Sequence, residues 1–163
     1  MGTGEAPRPD DVQRLRVALR SIEADAQEQV WDAQRPWRVA THVDWESGVP
    51  VVDLHDLKAR NARTALKRLV GVAESLEGGA VGVVTGRGRH SLGPGVLRRM
   101  AGDILVAAAA DRDAWSVHPR GSGSWVLVTD PARAPAATRG GPGMVAAVFF
   151  ALMALALAWL LLH

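Results

Sequence analysis

Asp53 and His55 are the residues whose types and spacing first invite chemistry. They sit two apart in "VVDLHD", residues 51–56, at the end of a run that otherwise looks like a buried strand. Side chains alternate across a strand, so Val51, Asp53 and His55 fall on one face and Val52 and Leu54 on the other. The spacing predicts backbones about 6.6 Å apart, at about 3.3 Å per residue. From there both side chains reach one substrate group. A carboxylate can orient an imidazole or hold a cation, and an imidazole can move a proton near neutral pH. An isolated Asp-x-His is equally what an ordinary strand end looks like, with the Asp in a turn and the His a satisfied polar residue.

A second stretch, "VTGRGRHSLGPG" (residues 84–95), follows another apolar run and precedes a helical pattern. Glycines in that position let backbone N–H groups approach an oxyanion, helped by the helix N-terminus. Arg87, Arg89 and His90 add charge there. The stretch is not a Walker A loop, because no Gly-Lys-Ser/Thr follows, and no long βαβαβ unit surrounds it as a dinucleotide fingerprint requires. A plain glycine-rich turn is the alternative.

The elements that must position these groups follow from hydrophobic spacing. Residues 10–31 carry Val12, Leu15, Leu19, Ile22, Ala26 and Val30 at helical intervals. Residues 34–50 look irregular, with Trp37 and Trp45 packing on the body. Residues 49–54 form a short strand. Residues 58–76 place Ala62, Ala65, Leu66, Leu69, Val72, Ala73 and Leu76 on one helical face, and the glycines after Glu77 stop the helix. Residues 80–86 form a second strand. A second helix, residues 95–110, turns Val96, Leu97, Met100, Ile104 and Leu105 inward. "AWSVHP" and "SWVLVTD" are two strands joined by the Gly/Ser loop "RGSGS". The order from residue 49 is β-α-β-α-β-β, an α/β (α+β two-layer sandwich) class with helices covering a small sheet. A β-α-β unit makes its two strands parallel and brings both motifs to one end of the sheet. Asp53, His55 and the loop 86–91 then border one cleft. Arg60, Arg63 and Lys67 on the first of these helices and Arg98 and Arg99 on the second surround it, although a solvated helix face explains the first group as well.

Charge agrees with an anionic partner in the middle of the chain. The formal net charge is +2 over 163 residues, but residues 49–105 hold nine Lys/Arg against five Asp/Glu, while residues 10–35 hold six acids against four arginines. Cysteine is absent, which excludes disulfides and thiolate metal sites.

"MVAAVFFALMALALAWLLL", residues 144–162, runs without a charge, Gly or Pro. About 20 apolar residues cross a bilayer core as a helix, and a helix satisfies its own backbone groups in lipid. The segment is expected to be a single-pass tail anchor in the lipid bilayer of the cell membrane. Arg133 and Arg139 on its near side put the body in the cytoplasm. The expected organisation is an N-terminal extension 1–48, a domain 49–130, a Pro/Ala/Gly-rich linker 131–143 and the transmembrane helix 144–162.

At this point residues 49–130 resemble a small MutS-related (Smr) domain. "VVDLHDLKARNARTALKRL" resembles the family's Leu-Asp-x-His signature and following helix, and "VVTGRGRHS…GPGVLRRM" its Thr-Gly-x-Gly loop and second helix. "SGSWVLVTD" resembles its last strand. The resemblance implies a β-α-β-α-β-β sandwich similar to the C-terminal half of bacterial translation initiation factor three. It also implies binding of DNA or RNA, with endonuclease activity in several members. Carried over, Asp53 and His55 match the Asp and His on which cleavage depends. Thr85, Gly86, Arg87 and Gly88 match the loop implicated in nucleic-acid contact, which Arg89, His90 and Ser91 continue. Asp56 departs from the family, which usually has Gly there. It could cap the helix N-terminus, and it places a second carboxylate beside a site meant for phosphate. Val52 replaces the usual Leu.

Three functions are therefore in view. The first is a membrane-tethered nuclease in which His55 deprotonates the nucleophile, Asp53 orients it or binds Mg or Mn, and the loop stabilises phosphate charge. One Asp and one His are a poor ligand set, so the metal stays open. The second is a non-catalytic nucleic-acid tether. The third is an anchored protein-interaction module docking a partner through the acidic N-terminal helix and Trp31, Trp37 and Trp45, with packing on the body the alternative for these residues.

Overall fold

The computed structural model describes residues 9–27, 36–86 and 95–135. Helix α1, Pro9–Gln27, opens on a proline with Asp10 and Asp11 in its first turn, where a missing N–H costs nothing and negative charge meets the helix dipole. A single turn, α2 (Val39–His42), leads into strand β1 (Val43–Glu46). Then come β2 (Val49–Asp53), α3 (Ala59–Ala73), β3 (Ala80–Val84), α4 (Val96–Ala110), β4 (Ser116–Arg120) and β5 (Ser124–Val128). The five strands form one sheet in the order β1-β2-β3-β5-β4. β2 and β3 are parallel, as the intervening helix demands, and the other pairs are antiparallel.

The order β-α-β-α-β-β from residue 49 is present, and residues 34–50 are the main difference. They were expected to be irregular, yet β1 pairs with β2 in a tight hairpin. Its two loop residues, Ser47 and Gly48, have φ of 51° and 85°. Two left-handed residues in succession are the I′ geometry whose twist matches that of paired strands. Pro50 is tolerated because it faces Trp45 and the β2–β3 ladder begins only at Val51.

The helices cover one face of the sheet. Val43, Val52, Val81, Val83 and Leu127 from the strands meet Leu15, Leu19 and Ile22 of α1, Leu66 and Leu69 of α3, and Met100 and Leu105 of α4 in one cluster. Both α1 and β1, from the segment 1–48, belong to this core and sheet. Helix α4 lies close to β5 because Gly102 has no side chain: a Cβ there would come within 2.8 Å of Trp125 Cζ2. Val96, expected inward, is 55% exposed, because α4 begins there and its buried stripe is Met100, Ala101, Gly102 and Leu105.

The opposite face carries a second cluster of Val49, Val51, Ala80, Val126 and Val128, joined by Ala134 from the segment after β5. That segment is held at Asp130, whose carboxylate accepts the Ala132 N–H at 2.9 Å. This bond, more than the nearby Arg133, holds the Asp130 carboxyl below its ordinary range. Among the described residues no helix is long and apolar enough to cross a membrane, and the anchor expected at 144–162 lies outside them.

Candidate functional site

The C-terminal ends of β2 and β3 lie side by side, so the residues that follow them share one sheet edge. β2 ends at Asp53, and the Leu54 N–H still donates to the Val84 carbonyl at 2.7 Å. The chain then turns. His55 is therefore not the next outward residue of a strand, as the alternation had suggested. Its backbone N–H donates to Asp53 Oδ1 at 2.9 Å, and its ring Nδ1 lies 2.6 Å from the same oxygen. An Asp at a strand end folds the chain back on itself through such a side-chain-to-backbone bond. The two side chains are in direct contact, 30% and 47% exposed. The carboxylate fixes the ring's orientation, the geometry by which an acid prepares a histidine for proton transfer.

Asp56 does not cap α3. The helix begins at Ala59 behind Lys58, which makes no side-chain cap. The Asp56 carboxylate instead sits 3.0 Å from His55 Nε2 through Oδ1 and 3.2 Å from His42 Nε2 through Oδ2. His42 is a residue the sequence did not single out. It ends α2, and its Nδ1 lies 3.2 Å from the Arg38 N–H and 2.9 Å from Thr41 Oγ1. The rings of His42 and His55 are 6.2 Å apart between centroids. Trp37 closes this side of the site. It is 3% exposed, its ring is 5.5 Å from that of His42, and its indole N–H donates to the Asp53 carbonyl at 2.7 Å. One signal could have revealed His42. Counting back from the Ser47–Gly48 turn pairs Val43 with Val52, which sets His42 beside Asp53.

The same burial withdraws Trp37 as a docking residue for a partner. Trp45 is half-buried against the core, and Trp31 lies outside the described residues.

The glycine loop meets the site at its first residues. Gly86 has φ of 73°, and a Cβ on it would stand 3.1 Å from His55 Cβ. Only glycine meets both conditions without strain. Gly86→Ala is expected to cost about 1–2 kcal/mol for the left-handed backbone and to push His55 away from Asp53. Urea unfolding of the variant and the loss of its His55–Asp53 contact by NMR check this. Thr85 is buried, and its hydroxyl and N–H both donate to the Gly123 carbonyl, at 3.1 and 2.8 Å. It fixes the start of the loop against the β4–β5 hairpin and does not face outward. Arg87, Gly88, Arg89, His90 and Ser91 lie outside the described residues.

The basic residues divide. Arg98 turns to the β4–β5 hairpin, bonding the carbonyls of Ser122 and Gly121, with its guanidinium 5.8 Å from the Trp125 ring. Arg99 is exposed and lines a groove on α4 with Gly102, Asp103 and Trp125. Arg60, Arg63 and Lys67 are exposed along α3. Among the described residues no group of three or more His, Asp or Glu is arranged to hold a metal ion. The nitrogens and oxygens of the site are turned towards one another at hydrogen-bond distances.

Searches among curated proteins and solved structures gave no match to the chain. Residues 52–128, which carry Asp53, His55, Asp56 and Gly86, match the family model of the Smr domain.

Proposed function

We propose that the protein binds nucleic acid and hydrolyses its phosphodiester bonds, held at the cell membrane by residues 144–162 with the body on the cytoplasmic side. The observation that carries the reading is the Asp53–His55 contact at 2.6 Å, set against Gly86 inside a segment matching the Smr domain. That domain is associated with nucleic-acid binding and nicking endonuclease activity.

Asp53 holds the imidazole through Nδ1, so Nε2 is the nitrogen that takes a proton from water or a hydroxyl attacking phosphorus. The resulting charge on the phosphate falls to the backbone amides of the loop and to Arg87 and Arg89. Basic residues of α3 and α4 track the rest of the strand. Binding is expected to weaken steeply with salt, as the logarithm of affinity falls by about 0.9 per phosphate contact for each tenfold rise in salt on duplex DNA. The test incubates full-length protein with single-stranded DNA, branched DNA and RNA across a salt series. Neither retardation at low salt nor cleavage of any of the three would sink the reading.

A second reading, binding without cleavage, is favoured by one observation: Asp56 Oδ1 stands 3.0 Å from the nitrogen that would act as base. Retardation without cleavage in the same panel would select it. The tether rests on the uncharged run of 19 residues at 144–162, close to the length needed to span a bilayer. The chain is expected to stay with membranes through an alkaline wash and to leave them when residues 144–162 are deleted.

A further inference from the structure

Asp56 stands where two imidazoles converge from different elements. His55 comes from the turn after β2 and His42 from the end of α2. Each addresses a separate oxygen of the one carboxylate, at 3.0 and 3.2 Å. Each ring is held from behind through its other nitrogen, His55 by Asp53 at 2.6 Å and His42 by the Arg38 N–H at 3.2 Å. The same Nδ1 lies 3.0 Å from the Arg38 carbonyl oxygen, so the α2 backbone holds the ring in either tautomer, and with both nitrogens protonated His42 donates from Nε2. Trp37 backs the His42 ring and ties its own indole to the Asp53 carbonyl, so both walls share one support. Protonated on both nitrogens, the two rings point one donor each at the two oxygens of an anion and make an anion clamp, and a phosphate group offers two oxygens of the same kind.

We propose that His42 and His55 form a two-histidine clamp for a phosphate group, and that Asp56 fills it in the free protein as an internal anion that phosphate must displace. The Asp56 side chain is 35% exposed and sits in the turn before α3, so it can leave by rotating towards solvent. Displacement passes His55 Nε2 from the carboxylate to the phosphate, and as a donor it carries the proton that the same nitrogen holds once it has acted as base. His42 thereby becomes a phosphate-binding residue, and Asp56 sets how tightly phosphate is held. The clamp rests on the proposed function only for the source of the phosphate, a nucleic-acid backbone.

The test follows the imidazole signals of His42 and His55 by nitrogen–proton NMR in full-length protein titrated with inorganic phosphate. A parallel titration uses a single-stranded oligonucleotide. In Asp56→Ala, and in Asp56→Asn as a variant that keeps the side-chain shape, phosphate is expected to move both histidine signals at concentrations about tenfold lower than in the unaltered protein, the worth of one charge-assisted hydrogen bond. Adding His42→Gln to Asp56→Ala is expected to remove that gain. An equal phosphate response with and without Asp56 overturns the proposal, as does a gain that survives loss of His42. A phosphate gain with no oligonucleotide bound by any variant leaves the clamp standing and removes the nucleic-acid function. Oligonucleotide binding without the phosphate gain does the reverse.

Discussion

Protein carrying His55→Ala is expected to lose cleavage by at least about 100-fold, the usual worth of a positioned general base, on whichever substrate the unaltered protein cuts. Among the described residues the ring is the only imidazole in direct contact with Asp53. The His42 ring, also described, has its centroid 6.2 Å from that of His55 and its Nδ1 engaged by the α2 backbone. The fold should be unaffected, since the His55 side chain is 47% exposed and supports no core residue. Nucleic-acid affinity should fall far less than rate, because His55 would supply one phosphate contact among several along the strand. Asp53→Asn is expected to retain part of the activity. An amide oxygen can still accept from Nδ1, but it does not stabilise the charged ring that forms when the proton is taken. Single-turnover rates under saturating protein, beside binding measured at the same salt, check both variants. Equal rates for His55→Ala and the unaltered protein would remove His55 from the chemistry.

The second large effect concerns stability. Asp11→Ala is expected to destabilise the fold by about 3 kcal/mol, the scale of two hydrogen bonds to a charged group with their donors left in protein. Asp11 is fully buried, and its two oxygens accept the N–H groups of Glu77 and Gly78, each at 2.8 Å. Those amides follow the end of α3, where the helix leaves backbone groups without partners of their own. Arg14, one turn along α1, adds bonds to the Ser75 carbonyl and to Glu77, the latter at 2.9 Å. The first turn of α1 is therefore a clasp on the α3–β3 connection. The loss is a large share of the total of about 5–15 kcal/mol usual for a domain. It should appear as a lower urea midpoint with an unchanged slope, and Asp11→Asn should lose less because one acceptor remains. A change below about 1 kcal/mol, the worth of a single ordinary hydrogen bond, would show that these amides find other partners.

Asp11 also shows how far composition carries. In the sequence it is one of six acids in residues 10–35. Nothing local distinguishes it from Asp10, because its partners lie more than sixty positions away. His42 escaped notice for a related reason, and Trp37 was expected to pack on the body without a place beside the site. The Ser47–Gly48 turn lacks the Asn-Gly or Asp-Gly pair that usually announces a hairpin, and without the hairpin no register linked residue 42 to residue 53. Asp56 shows the complement: its identity was noted, but its partner was assigned to the nearest helix end and not to two histidines.

By itself, the sequence determined the order of strands and helices from residue 49, the parallel pairing of β2 with β3, and the meeting of Asp53, His55 and Gly86 at one sheet edge. Those features rest on short-range rules. Periods of 2 and 3.6 assign elements, a helix between two strands makes them parallel, and glycines mark where backbones come close. Tertiary structure alone decided that Asp53 and His55 touch, that β1 extends the sheet, that Trp37 is a wall and not a docking surface, and that His42 and Asp56 complete the polar cluster. Each depends on where a turn sends the chain and on contacts between distant residues, and no local period encodes those.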